Sequence, residues 1–169
     1  MRIIKKFLNK IKDIFISFLP ISKENWSKYA QKGEFEFHKK NEWRQTEDFT
    51  IHSEKLFHHF GFNSNDFQNQ TLVDLGAGSK LRTKFFSVKR LFVIETIEER
   101  FITEIEWCDL SSADKLYALP AETLIDDLVD NVNVVISINV LDHCYDFDKI
   151  INNIFKYLKS GGITFLSFD

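Results

Sequence analysis

Hydrophobic residues change their spacing along this chain, and the changes divide it into three stretches. Ile3, Ile4, Phe7, Leu8, Ile11, Ile14, Phe15, Phe18 and Leu19 recur every three or four residues, the period of a helix with one continuous apolar stripe that Pro20 would stop. From residue 21 to about 62 the pattern is helical in places, anchored by Trp26, Trp43, Phe49, Leu56, Phe57 and Phe60, with Gly61 as a helix stop. The polar run over residues 63–70 reads as a connection. Beyond it, apolar runs of strand length alternate with helical periods. Strands are predicted at residues 72–75, 91–94, 115–119, 132–139 and 163–168, and helices at 81–88, from about 97, at 121–129 and from 147 to a stop at Gly161 and Gly162.

Five strands alternating with helices predict an α/β, Rossmann-like three-layer sandwich with a mostly parallel sheet and right-handed crossovers. The predicted organisation is a basic amphipathic helix over residues 1–20, a helical preface and connection over 21–70, and a ligand-binding Rossmann-like domain over 71–169. A chain of 169 residues fills one core and is too short for two ordinary domains. Eighteen Phe against 2 Pro and 6 Gly argue for dense packing over disorder.

Charge changes this picture at one end. Arg2, Lys5, Lys6, Lys10 and Lys12 against Asp13 make residues 1–20 net +4, so the overall −3 conceals a body at −7. The lysines fall mostly off the apolar stripe. That pattern suits a helix lying peripherally on the inner face of a membrane, where each lysine near an anionic surface contributes about 1 kcal/mol. The alternative is a helix packed on its own domain or on a second subunit. The segment is too short and too charged to span a bilayer and lacks the small-residue cleavage site of a secretory signal. The acidic body argues against nucleic acid as a partner. Cys108 and Cys144 form neither a disulfide framework nor a metal pattern, which points to a cytoplasmic setting, and His52, His58 and His59 lack the companions of a metal site.

The chemistry concentrates where the first predicted strand runs into Gly76-Ala77-Gly78. Glycine permits unusual backbone angles and a close approach to a ligand, and a helix starting near Ser79 would direct its N-terminus at an acidic group. Glu95 closes the second strand 19 residues beyond Gly76, a spacing suited to holding both hydroxyls of a ribose. A dinucleotide fingerprint would have a third glycine where this chain has Leu81, which disfavours a nicotinamide cofactor.

Val73-Asp74-Leu75-Gly76-Ala77-Gly78-Ser79 with Glu95 resembles the first two motifs of the class I S-adenosylmethionine-dependent methyltransferases. Pro120-Ala121-Glu122 lies where that family places adenine contacts. Ser137-Ile138-Asn139-Val140-Leu141-Asp142-His143 resembles the fourth-strand motif of the methyltransferase type 11 group, and Tyr157-Leu158-Lys159-Ser160-Gly161-Gly162 resembles the turn before the fifth strand. The resemblance covers roughly residues 40–169. It implies S-adenosyl-L-methionine as cofactor, with Gly76, Ala77 and Gly78 along its methionine portion, Asp74 supporting the turn, and Glu95 on the ribose. It further implies Thr96, Ala121 and Glu122 at the adenine and Asn139 at the amino acid end. His143, oriented by Asp142, is the candidate general base. The acceptor class is a small molecule or a glycan or lipid precursor. The family adds two strands after the fifth, whereas this sequence ends with it, which implies an incomplete acceptor pocket and a sheet edge that a second copy in a homo-oligomer would cover. Two other readings stand beside the methyltransferase: a non-catalytic cofactor-binding or interaction protein of the same fold, and a nucleotide-dependent oxidoreductase.

Overall fold

The structure, a computed structural model, describes residues 22–168; the helix expected over residues 1–20 lies outside the described residues. Five strands, β1 (Thr71–Leu75), β2 (Arg90–Ile94), β3 (Lys115–Tyr117), β4 (Val132–Ile138) and β5 (Leu158–Ser167), pair side by side in the order β3-β2-β1-β4-β5. Every pairing is parallel. The chain therefore starts in the middle of the sheet, steps outward to β3, and crosses back over β1 to β4. A crevice opens at such a reversal, beyond the carboxyl ends of β1 and β4.

Strands covered on both faces need continuous apolar sequence, and Leu72, Val73, Leu75, Val93, Val135 and Ile136 are fully buried. One face packs on the helical preface and on α3 (Glu98–Glu104) through Phe35, Phe57, Phe67 and Phe101. The opposite face packs on α4 (Phe147–Tyr157) through Ile150, Ile154 and Tyr157. In the preface, a turn at Lys23–Asn25 and a π-helical segment at Trp26–Ala30 lead straight into α1 (Gln31–Lys40), and α2 (Glu47–His59) follows. Gly61 ends α2 in a left-handed conformation (φ 83°). The Phe62 N–H reaches the Phe57 carbonyl (2.9 Å) and the Gly61 N–H that of His58 (3.0 Å), which satisfies the last turn.

Two predicted helices contract to single 3-10 turns. The one expected at residues 81–88 is Arg82–Phe85, because Phe85 and Phe86 both pack on Phe57, with ring centroids 5.3 and 4.6 Å away. A regular helix would turn neighbouring side chains about 100° apart. The one expected at 121–129 is Asp126–Leu128, since the Ile125 N–H bonds the buried Tyr157 hydroxyl (3.1 Å) and the hydroxyl donates to the Thr123 carbonyl (3.2 Å). The third strand is also shorter, because the Leu119 N–H turns back to the Tyr117 carbonyl (2.9 Å). The last helix stops at Tyr157, earlier than Gly161 and Gly162, which lie inside β5 beside a register shift between Val132 and Val134. β5 forms one outer edge, where Ile163 stays 45% exposed. Among the described residues no helix is long and apolar enough to cross a membrane.

Candidate cofactor and acceptor crevice

The Gly76 N–H extends the ladder one residue past β1, donating to the Ile94 carbonyl (2.8 Å), and the backbone then leaves the sheet with φ 75° at Gly76 and 66° at Gly78. Other residues reach those angles only with strain. A Cβ on Gly76 would lie 2.4 Å from Val140 Cγ1, and one on Gly78 would lie 2.2 Å from His38 Cε1. The space that a side chain would take is filled by the protein's own Val140 and His38.

No long helix starts at Ser79, so no helix dipole points into the turn. Ser79 instead receives α1. Its N–H donates to His38 Nδ1 (3.1 Å) and its hydroxyl contacts the same nitrogen (2.8 Å), while His38 Nε2 contacts Glu34 Oε1 (2.8 Å). Burial holds the His38 pKa below the ordinary histidine value against the opposing Glu34 bond. A neutral ring with its proton on Nε2 donates to Glu34 and leaves the single Nδ1 lone pair shared between the Ser79 N–H and hydroxyl.

Glu95 meets this turn from the end of β2. Its Oε2 accepts from the Gly78 N–H (3.0 Å) and its Oε1 from the Ile97 N–H (3.2 Å), so the carboxylate is held by two backbone donors at different places in the chain. Burial pushes its pKa up to about 7, with those two hydrogen bonds pulling the other way. A carboxylate offers about four acceptor positions, so each oxygen keeps one for a further donor. Asp74 lies beneath, 6% exposed and bonded to the Thr83 hydroxyl (2.5 Å), tying β1 to the 3-10 turn. Burial raises its pKa to about 7 as well, opposed by Thr83 and Arg82.

The crevice has two lobes. One, of about 310 Å³, is walled by Ile94, Ile97, Leu119, Ala121 and Val140, with Glu95, Thr96 and Glu122 also on its surface. The other, of about 500 Å³, is the more polar of the two and is bounded by His38, Trp43, Arg44, Asp74, Ala77, Gly78 and Arg82. Gly76, Asn139, Val140, His143 and Glu34 face both. All the expected site residues except Asp142 thus line one crevice, and Asp142 touches it through His143 (Nε2 to Oδ2, 3.2 Å). Several have local duties too. Asn139, at φ 54°, donates its N–H to the Ser167 carbonyl (2.9 Å). Glu122, 1% exposed, accepts from the Tyr145 N–H (3.0 Å), Thr96 donates weakly to the Leu119 carbonyl (3.5 Å), and the Ala121 carbonyl accepts from Asn153 (3.0 Å).

Sequence reasoning missed the wall opposite the sheet. Trp26 Nε1 donates to the His143 carbonyl (2.6 Å) and its ring meets Tyr145 edge-on at 5.2 Å, so the π-helical segment closes over the apolar lobe. Trp43, expected as an apolar anchor, is 38% exposed and borders the polar lobe.

No family model and no curated protein matches the sequence. Solved structures match in fold. Haemonchus contortus phosphoethanolamine N-methyltransferase 1, solved with phosphoethanolamine and S-adenosylhomocysteine, superposes with a TM-score of 0.63 at 16% identity, over 86% of this chain and 33% of that one. The chain has the class I S-adenosylmethionine-dependent methyltransferase fold. A Methanococcus maripaludis protein described as such a methyltransferase gives a TM-score of 0.59 at 17% identity, over 80% of this chain and 62% of that one. A Listeria monocytogenes protein of the same description gives 0.51 at 24% identity, over 68% and 53%. The chain spans about half the length of the methyltransferase-fold structures it matches, with 62%, 50% and 44% of the first three covered. At these identities the likeness is one of fold, and a fold alone does not assign a reaction.

Proposed function

We propose that this protein binds S-adenosylmethionine across the crevice and transfers its methyl group to a small-molecule, glycan or lipid-precursor acceptor in the polar lobe. The observation that carries the reading is the Glu95 carboxylate. It stands at the end of β2, aligned by two backbone N–H groups, with one acceptor position left on each oxygen. A ribose diol offers two adjacent hydroxyl donors, which matches that pair. The apolar walls at Ile97, Leu119 and Ala121 suit a flat, uncharged adenine with Thr96 and Glu122 at its edge, while Gly76, Ala77, Gly78 and Asn139 lie on the side toward the amino acid end.

When bound, the cofactor supplies an activated methyl on a sulfonium sulfur, so no protein nucleophile is needed. This chain's task is alignment and exclusion of water. His143, next to Asp142 and bordering both lobes, takes the proton released by a hydroxyl or ammonium acceptor. The proposed setting is the cytoplasm, with residues 1–20 resting on an anionic membrane face.

Calorimetric titration of the full chain with S-adenosylhomocysteine and, separately, with NAD tests this function. The thioether product should bind and NAD should not. Absence of S-adenosylhomocysteine binding, or preference for NAD, would refute it, and cofactor binding without turnover across a broad acceptor panel would leave a binding protein.

A further inference from the structure

Arg44 lies on the 3-10 turn Glu42–Gln45 and Arg82 opens the turn after the glycine loop, 38 positions later in sequence, yet both guanidinium groups rest on the same buried ring. Their central carbons are 5.4 and 4.4 Å from the centroid of Phe49, which is 2% exposed. Both border the polar lobe. Two like charges brought together repel, and the Glu34 and Asp74 carboxyls offset them from a distance without forming an ion pair with either. Among the described residues the Arg44 side chain makes no hydrogen bond or ion pair, and its Nε is buried without a partner. Arg82 donates from one nitrogen to Ser53 Oγ (2.9 Å), contacts His52 Nδ1 (3.2 Å), and forms no ion pair among the described residues.

The acids nearby are otherwise engaged. Asp74 is bonded to Thr83, and Glu34 is bonded to His38. His38, His52 and His143 are the remaining titratable neighbours and add no negative charge. Burial, reinforced by Arg82 and only partly opposed by Glu34, pulls the Arg44 pKa down to about 10. We propose that the polar lobe holds the acceptor through an anionic group, a carboxylate or a phosphate monoester, seated between Arg44 and Arg82. Planar guanidinium forks match both groups with paired N–H donors.

The cofactor's own carboxylate is the competing occupant, and size argues against it. The polar lobe is larger than the apolar one, about 500 against 310 Å³, whereas the amino acid end of the cofactor is smaller than its adenosine end. Space remains for a second molecule. An acceptor anchored at the arginines extends toward Gly76, Asn139 and His143, where the lobes join and the methyl would be presented. The inference rests on the function proposed above, since only a methyl donor with its adenosine in the apolar lobe makes a second occupant of the polar lobe an acceptor.

The test is calorimetric titration of the full chain, saturated with S-adenosylhomocysteine, with inorganic phosphate and with sodium acetate, against chloride at equal ionic strength. One of the two anions should bind, and which one binds tighter assigns the group. Arg44→Gln should weaken that anion at least about tenfold while leaving S-adenosylhomocysteine affinity within about twofold. Arg44→Lys, which keeps the charge and loses the fork, should fall between, and thermal melting of each variant verifies folding. Arg82→Gln is the second variant, read in the same way. Competition between the anion and S-adenosylhomocysteine would overturn the proposal by giving the arginines to the cofactor, as would an anion affinity no greater than chloride's. Failure of S-adenosylhomocysteine to bind the unaltered chain would refute the proposed function and, with it, the acceptor role.

Discussion

The two walls of the crevice are built in different ways. On the sheet side, the ends of β1, β2 and β4 are fixed by backbone bonds that extend the ladder: Gly76 to Ile94 (2.8 Å), Glu95 to Tyr117 (3.1 Å) and Asn139 to Ser167 (2.9 Å). On the helical side, the segment from Trp26 to Arg44 is tied across the crevice by a few side chains. These are His38 on Ser79, Trp26 on the His143 carbonyl, an exposed Lys39–Glu104 pair (3.1 Å), and the buried Phe35 ring stacked on Phe101 (6.0 Å). Elements held by few bonds open at lower free energy than a sheet core. The sheet wall therefore sets ligand geometry, and the helical wall supplies the cover, the aromatic rings and one of the two crevice arginines.

The largest effect is expected at the joint between the walls. Gly78→Ala would force a left-handed angle on alanine and drive its Cβ into the His38 ring, for a loss of about 2–4 kcal/mol in urea unfolding. His38→Ala should recover the steric part in the double variant, a coupling that only contacting residues show. If Gly78→Ala unfolds at the urea concentration of the parent, the walls do not meet as described.

Next comes the sheet wall alone. Glu95→Ala should weaken S-adenosylhomocysteine by about 1.5–3 kcal/mol, roughly ten- to a hundredfold, the range for hydrogen bonds to a charged group. Retained affinity in the calorimeter would remove Glu95 from the ribose.

The same wall gives a pH signature of about 1 kcal/mol for each of two carboxyl groups. Asp74 and Glu95 both have folded pKa values near 7, above the ordinary carboxylate range. Between that range and pH 7 the folded chain retains protons that the unfolded chain has released, so stability falls as pH rises. From pH 6 to 7 the loss should be about 1 kcal/mol for each group. Asp74→Asn keeps an acceptor for Thr83 and should remove about half of the slope. Donors on Glu95 favour its charged form, so cofactor affinity should rise over the same interval; a flat profile in both measurements would mean neither carboxylate is raised.

How much was legible follows the same division. The sheet, the glycine turn and Glu95 could be read because their signals are local: apolar runs of strand length, two glycines at a strand end, an acid at the next. The helical wall depends on contacts between distant positions. His38 lies 41 residues from Ser79 and resembles His52, His58 and His59 until the fold selects it, and Arg44 and Arg82 meet only over Phe49. Leu81 was informative for a different reason from the one the glycine fingerprint suggests. With no long helix to obstruct, it enters the core at 3% exposure and donates its N–H to Asp109 (2.8 Å). The helices at 81–88 and 121–129 failed where Phe85 with Phe86, and the Tyr157 hydroxyl, overrode local period.

The smallest effect isolates the helical wall. Gly33 sits inside α1, borders the apolar lobe, and would carry a Cβ with nothing within 4 Å. Glycine in a helix leaves the unfolded chain with extra freedom, so Gly33→Ala should raise stability by about 0.5–1 kcal/mol. Because the added methyl meets no atom of the protein, S-adenosylhomocysteine affinity should change less than about threefold, which calorimetry on the same sample would register. A larger loss would mean that the ligand presses on α1 itself, and the helical wall would then help to set ligand geometry alongside the sheet.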